Sequence, residues 1–365
     1  MKRNLLILVV FLLSIADGVS QATFNTGAFG VNVNQYGKII IVAPNGLEQM
    51  WRTSVLVGSS STAVFDYQND AEELDPTILV SNPTMSDFEI YGAYDNSYSH
   101  DPPDVIVKLN AYGWNNGGYI ILKFNIKNSG TTTYNALAGL DIIPYIDEED
   151  GFDTVSYNTT AGVIRFHRGT QTNTGIKLLS SSLSSLFSFE YYDGYYVDSD
   201  YWNWMNHGSL QPLYASNTSD GSVSITSQSA VGLAPGASFN VFYAMALGTN
   251  EQTMLANIAA AEQRYYVITS VEDAKPAANE FNLGQNIPNP FRNSTTISYQ
   301  VPDDGFVSLK VYNVIGSEVA TLVDSKQTRG SHTVDFITND LTSGVYYYTL
   351  RYNNQVRTNK MFVIK

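Results

Sequence analysis

Apolar and polar residues alternate along most of this 365-residue chain with the period of a strand, not of a helix. The clearest run is 119–127, where Ile120, Leu122, Phe124 and Ile126 share one face. Comparable runs lie at 38–43, 62–67, 87–93, 105–109, 134–146, 163–167, 175–179, 222–227 and 238–247. Turn residues such as Asn45 with Gly46 and Pro235 with Gly236 stand between them. The Gly- and Asn-rich stretch 113–118 predicts a hairpin pairing 105–109 with 119–127. Two segments read as helices. One starts near Thr249, an expected cap with Gln252 completing a capping box, and carries Met254, Ile258 and Ala261 as a stripe. The other spans 199–206, with Asp198 as its expected cap and Gly208 as its stop.

A second alternating series begins after Pro288 and Pro290, which can continue neither a helix nor a central strand. Ile297, Tyr299 and Val301 share one face, then Val307, Leu309 and Val311; further runs lie at 319–323, 332–337, 345–352 and 356–364. The pattern predicts an all-β protein: a large two-sheet antiparallel β-sandwich with one or two short helices at 21–270, a linker at 271–280, and a small Ig-like β-sandwich at 281–365.

Charge and composition narrow the setting. Lys2 and Arg3 precede an apolar core at 5–13, too short to span a bilayer, and Gly18 and Ser20 suit a cleavage site, so 1–20 reads as a secretory signal peptide. No second long apolar run predicts a membrane span in the mature protein. Without cysteine there is no disulfide, thiolate metal site or cysteine nucleophile. Residues 21–280 hold 10 Lys and Arg against 27 Asp and Glu, a net of −17, whereas 281–365 hold 8 against 6, a net of +2. An acidic body repels phosphate backbones, which argues against nucleic acid as a partner.

The C-terminal residues carry a resemblance. QNIPNPF at 285–291, STTISY at 294–299, VSLKVY at 307–312, GSEVA at 316–320, LTSGVYY at 341–347 and NKM at 359–361 follow in order. Together they resemble the type A C-terminal sorting domain of the type IX secretion system of Bacteroidota and related bacteria. Arg292 departs from the asparagine many members carry there, at a turn. The resemblance implies a folded export signal whose motif residues are Asn286, Pro288, Asn289, Pro290, Phe291, Gly316, Gly344, Tyr346 and Lys360. It implies the type IX translocon and sortase as partners. The resemblance further implies that the cargo passes through the periplasm and is then secreted or attached to the outer cell surface, there on lipopolysaccharide. The body resembles, more patchily, β domains of exported proteins of the same bacteria, which are similar to the supersandwich of sugar mutarotases. YIILKFNIKN at 119–128, DSDYWNWM at 198–205 and LAPGASFNV at 233–241 carry that likeness.

Chemistry concentrates in two places. The acidic run at 147–153 offers Asp147, Glu149, Asp150 and Asp153 as oxygen ligands, with calcium the candidate cation, though without EF-hand spacing. A solvated turn is the bland alternative. The aromatic segment at 191–204 offers Tyr195, Tyr196, Trp202 and Trp204 as stacking faces, with Asp193 and Asp198 as acceptors, for a polysaccharide. Here the bland alternative is a lid over the sandwich. No HExxH, nucleophile elbow or P-loop is present, and His100, His167 and His207 form no catalytic spacing. The expected function is a non-enzymatic exported binding or structural module without a cofactor. The alternative is a carbohydrate-active hydrolase or lyase using carboxylates near an aromatic cleft.

Overall fold

The computed structural model describes residues 21–274, 281–286, 288–338, 341–353 and 355–364. The expected signal peptide and most of the expected linker therefore lie outside the described residues. The chain divides into two units at Tyr266 and Val267.

The first unit is a two-sheet antiparallel sandwich. One sheet runs Gln21–Asn25, Gly30–Asn34, Ile39–Val42, Glu48–Ser60, Tyr134–Pro144, Ser222–Gln228 and Leu183–Glu190, with Ala63–Phe65 and Val231–Leu233 paired to its centre. The other runs Leu213–Ala215, Thr154–Asn158, Val163–His167, Asn173–Leu178, Ser238–Gly248, Tyr119–Asn128, Val105–Gly113, Phe88–Asp95 and Glu72–Leu79. The expected hairpin is present, with Val105 opposite Asn128 and Gly113 opposite Ile120. Ile120, Leu122, Phe124 and Ile126 are fully buried and share one core with Val55, Val57, Leu140 and Ile142 of the other sheet. This alternation is what the pleat requires when one face is buried.

The sheet holding Glu48–Ser60 is covered on both faces. Val55, Leu56 and Val57 are all buried, and every residue of Ser222–Gln228 is buried. A helix, α1, Asp198–Met205, lies over the outer face with the aromatic residues before it. Its expected cap is corrected: Val197 occupies the cap position, and the Asp198 carboxylate instead accepts from Val64 N at 3.3 Å. The second helix, α2, runs Glu251–Ala274 and buries Met254, Ile258 and Ala261 as expected. Its cap is Asn250, not Thr249, because Asn250 Oδ1 accepts from Thr253 N at 2.9 Å. The helix also continues four residues into the segment expected as linker.

The C-terminal unit pairs a three-stranded sheet, Asn282–Leu283, Ser294–Val301 and Gly330–Ile337, with a four-stranded one, Glu318–Gln327, Gly305–Asn313, Gly344–Tyr352 and Gln355–Val363. Ile297, Tyr299, Val307, Leu309, Tyr348 and Leu350 share its core.

Close packing on both faces of the first sheet generates a test. A Cβ added at Gly139 would lie 1.7 Å from the Thr226 carbonyl oxygen, so the backbones of two central strands would have to part. Gly139→Ala is expected to destabilise the body by about 3 kcal/mol or more, read as a lowered denaturation midpoint. Gly232→Ala, whose Cβ would meet only Asn135 Oδ1 at 3.7 Å, is expected to leave the midpoint unchanged.

Candidate functional sites

The outer face of the first sheet carries a buried ion pair. Arg52 and Asp141 sit on adjacent strands, Nη2 to Oδ2 2.7 Å, each about 1% exposed. Tyr201 OH donates to Asp141 Oδ2 at 2.8 Å and Tyr195 OH to both carboxylate oxygens at 3.0 and 3.1 Å. Arg52 Nη1 donates to Gln68, and the guanidinium lies 5.3–5.6 Å from the rings of Trp51, Tyr67 and Tyr195. Burial works against the Arg52 charge; Asp141, with Tyr201 and Tyr67, holds it cationic.

This arrangement decides what the aromatic segment does. Tyr195 is 1% exposed and committed to Asp141, so it is no stacking face, which corrects that expectation. Trp204 is half-buried, stacked on Phe189 at 4.2 Å, and Trp202 packs over Gly58. Tyr196 is half-buried and its hydroxyl lies 3.5 Å from the exposed Asp193. Most of the segment is thus a lid on the sheet, which is the bland alternative raised above.

The expected cation ligands are dispersed among separate partners. Asp147 accepts from Gln49 Nε2 at 2.8 Å and Thr172 Oγ1 at 3.0 Å. Glu149 pairs with Arg168 at 3.1 Å, and buried Asp153 accepts from Ser222. Among the described residues no group of three His, Asp or Glu could hold a metal ion.

The acidic run and the aromatic segment nevertheless meet. A cleft of about 510 Å³ is lined by Glu48, Trp51, Ile143, Tyr145, Glu148, Asp150, Tyr191 and Asp220. Two glycines build it. Gly151, at φ 72°, packs so tightly that an added Cβ would lie 2.2 Å from Thr218 O; Gly221, at φ 83°, faces Gly151 N. Only glycine suits such left-handed turns at close approach. Asp150 and Asp220, which precede these glycines, are thereby brought to one cleft. Tyr191 N donates to Gly221 O at 2.8 Å, which ties the aromatic segment to the same corner. On the opposite side Glu48 N donates to Glu148 Oε1 at 3.3 Å, and Lys38 Nζ lies 3.7 Å from the Trp51 ring centroid. Burial, then the Glu148 charge, pushes the Glu48 carboxyl up against the pull of Lys38. Burial and Arg52 lower Lys38 to about 8. Asp150 and Tyr191 were legible as parts of suspect segments. Glu48, Trp51 and Asp220 were not, because each stands alone in its own stretch of sequence.

In the C-terminal unit the expected motif residues form the packing of its first loop. Buried Asn286 donates from Nδ2 to Pro288 O at 3.0 Å and Thr295 Oγ1 at 2.9 Å, and its backbone N to Tyr348 OH at 2.9 Å. Asn289 Oδ1 accepts from Phe362 N at 2.9 Å, and Phe291, 2% exposed, bridges to the last strand. Gly316, at φ 82°, makes the hairpin turn after Asn313, and Gly344 opens the strand that buries Tyr346. Lys360 O accepts from Gln285 Nε2 at 2.9 Å.

These contacts fold the motif residues into one loop packed against the last strand. Residues 287–365 match the family described as a secretion system C-terminal sorting domain. The protein is therefore a type IX cargo, secreted or attached to the outer cell surface, and interacts with that secretion machinery. No helix among the described residues is long and apolar enough to cross a membrane. No curated protein sequence matches the chain. Among solved structures, a bacterial glucoamylase in complex with acarbose is similar at 10% identity and a TM-score of 0.51, over 73% of this chain and 37% of that one. A polysaccharide lyase aligns at 11% identity and a TM-score of 0.32, over 97% and 47%. A GalM/aldose epimerase homologue of C. elegans aligns at 9% identity and a TM-score of 0.37, over 64% and 99%. At such identity the glucoamylase likeness shows the sandwich fold alone.

A buried carboxyl beside the ion pair gives a pH test. Asp66, 1% exposed, accepts from Gln68 N, Asn69 N and Asn69 Nδ2 at 2.7–3.0 Å. Burial, then Asp70, outweighs these bonds and raises its carboxyl to about 7. The folded state therefore holds a proton that the unfolded chain releases near pH ~4. Its stabilising contribution is complete below that pH and is lost as pH rises to about 7, by up to ~1.4 kcal/mol per unit. Relative to Asp66→Asn, the parent is expected to lose stability across this window and level off above it in urea titrations.

Proposed function

We propose that the body is a non-enzymatic glycan-binding module, delivered outside the cell by the C-terminal sorting domain. The observation that carries this reading is the cleft itself. It is lined by the aromatic residues Trp51, Tyr145 and Tyr191 together with the acidic residues Glu48, Glu148, Asp150 and Asp220. Rings suit the apolar faces of sugars and carboxylates accept from sugar hydroxyls, a combination usual in ligand clefts. Trp51 is 39% exposed, so its ring is within reach of a ligand in the cleft. In affinity electrophoresis against soluble polysaccharides, Trp51→Ala is expected to weaken retardation roughly fivefold or more, since one ring contributes about 1 kcal/mol beyond area burial. Equal retardation of parent and variant on every polysaccharide would refute the cleft as the binding site.

A second reading, a carbohydrate-active enzyme, is favoured by one observation. Glu48 and Glu148 lie side by side in the cleft, and burial, then the Glu148 charge, pushes the Glu48 carboxyl up. That is how paired carboxylates divide acid and base roles. Release of reducing ends, abolished in Glu48→Gln, would establish it over the binding reading.

For export, the sortase is proposed to remove the C-terminal domain and release the body or join it to surface lipopolysaccharide. Deleting residues 281–365 is expected to strand the body in the periplasm of a host with type IX secretion. Mass spectrometry of the exported parent is expected to find no peptide from 287–365. An intact C-terminus outside the cell would rule out cleavage.

A further inference from the structure

Resting on the glycan-binding reading, we infer that the cleft takes a polysaccharide bearing free amino groups, such as an unacetylated hexosamine polymer. The inference starts from a charge imbalance in a confined space. Four carboxylates line the cleft. An ammonium beside them, Lys38, rests on the Trp51 ring. Arg52 is occupied by Asp141, and Arg168 by Glu149. An anionic glycan, whether uronate, sulfate or phosphate ester, would face this excess of like charge. A neutral glycan would find acceptors and rings but would leave the carboxylates repelling one another, as Glu148 already repels Glu48. A bare metal ion would need several oxygens to converge, and among the described residues no three acidic groups do so. Four carboxylates that line one cleft without converging on a point, in company with three rings, instead suit cations that are spread along a chain. An amino sugar supplies both halves. Its ring face stacks on Trp51, Tyr145 or Tyr191, and its ammonium meets a carboxylate or the edge of a ring face. Glu148 and Asp220 are exposed, so their charges reach a ligand without any rearrangement of the core.

The test uses the full chain and three probes of equal length in calorimetric titration at about pH 6 and low salt: a β-1,4-glucosamine hexamer, its fully N-acetylated counterpart, and cellohexaose. The glucosamine hexamer is expected to bind roughly tenfold or more tighter than either other probe. Its affinity is expected to fall several-fold in about 0.3 M NaCl, as screening shortens the reach of the carboxylates. Glu148→Gln and Asp220→Asn keep the size of each side chain and remove its charge. Each is expected to weaken the amine-bearing probe several-fold more than it weakens either neutral probe, because it removes a charge and keeps a hydroxyl acceptor. Cellohexaose binding as tightly as the amine would overturn the inference while leaving the glycan-binding reading standing. Failure of all three probes to bind would overturn both. Tight amine binding that survives both substitutions combined would place the ligand elsewhere and overturn the inference as well.

Discussion

The ion pair between Arg52 and Asp141 sets the conditions for the rest of the body. Two charges taken out of water on the face of a sheet must be enclosed and hydrogen-bonded, or the strands that carry them lose several kcal/mol. Here the enclosure is aromatic. Tyr195 and Tyr201 donate to Asp141, while Trp51, Tyr67 and Tyr195 surround the guanidinium. The tyrosines come from the segment that ends in α1, so the pair fixes where that segment lies. Once it lies there, the outer face of the first sheet is closed, and Ser222–Gln228 is buried despite its serines and threonines. Those hydroxyls find partners inside: Ser227 Oγ donates to Met205 O, and Ser188 and Ser224 share a bond at 2.8 Å.

The cleft follows from the edge of that enclosure. Tyr191 stands where the segment enters, and its amide is held by Gly221. The acidic run reaches the same corner through a chain reversal in which Asp147, Glu148, Gly151 and Phe152 all take positive φ. Such backbone is uncommon outside glycine and persists where surrounding contacts fix it. The contacts are visible: Asp147 on Gln49 and Thr172, and Phe152 N on Thr218 O at 3.0 Å. The same turn that spends Asp147 on structure leaves Glu148 and Asp150 facing the cleft.

What could be read from sequence follows the same physics. Strands with one buried face announced themselves, as 119–127 did, because the pleat prints its two environments onto alternate residues. Glu48–Ser60 did not, because its Val55, Leu56 and Val57 are buried on both sides and its Arg52, Thr53 and Ser54 are buried polar residues. No alternation survives in such a strand, and its lid lies more than a hundred residues downstream. The sorting domain was legible because its first motif is a contiguous run of residues, in which Asn286 bonds within its own loop; the bond from Phe362 N to Asn289 was not readable from that run. The cleft was half legible. The acidic run and aromatic segment were recognisable as unusual, but Trp51, Glu48 and Asp220 join them only through cross-strand pairing and the approach of Gly151 to Gly221.

The acidity of the body bears on how its two proposed surface partners divide. Lipopolysaccharide carries phosphate, and a cleft with four carboxylates is a poor receptor for it. If the sortase joins the body to that glycolipid, the bond is covalent and made at the C-terminal end, where no cleft residue lies. The net of −17 on residues 21–280 then repels the anionic surface to which the body is tethered. On this reading anchoring and ligand capture use separate parts of one chain. If the cleft takes amine-bearing glycans, the charge that disfavours the cell's own phosphate-bearing surface is the same charge that favours the ligand.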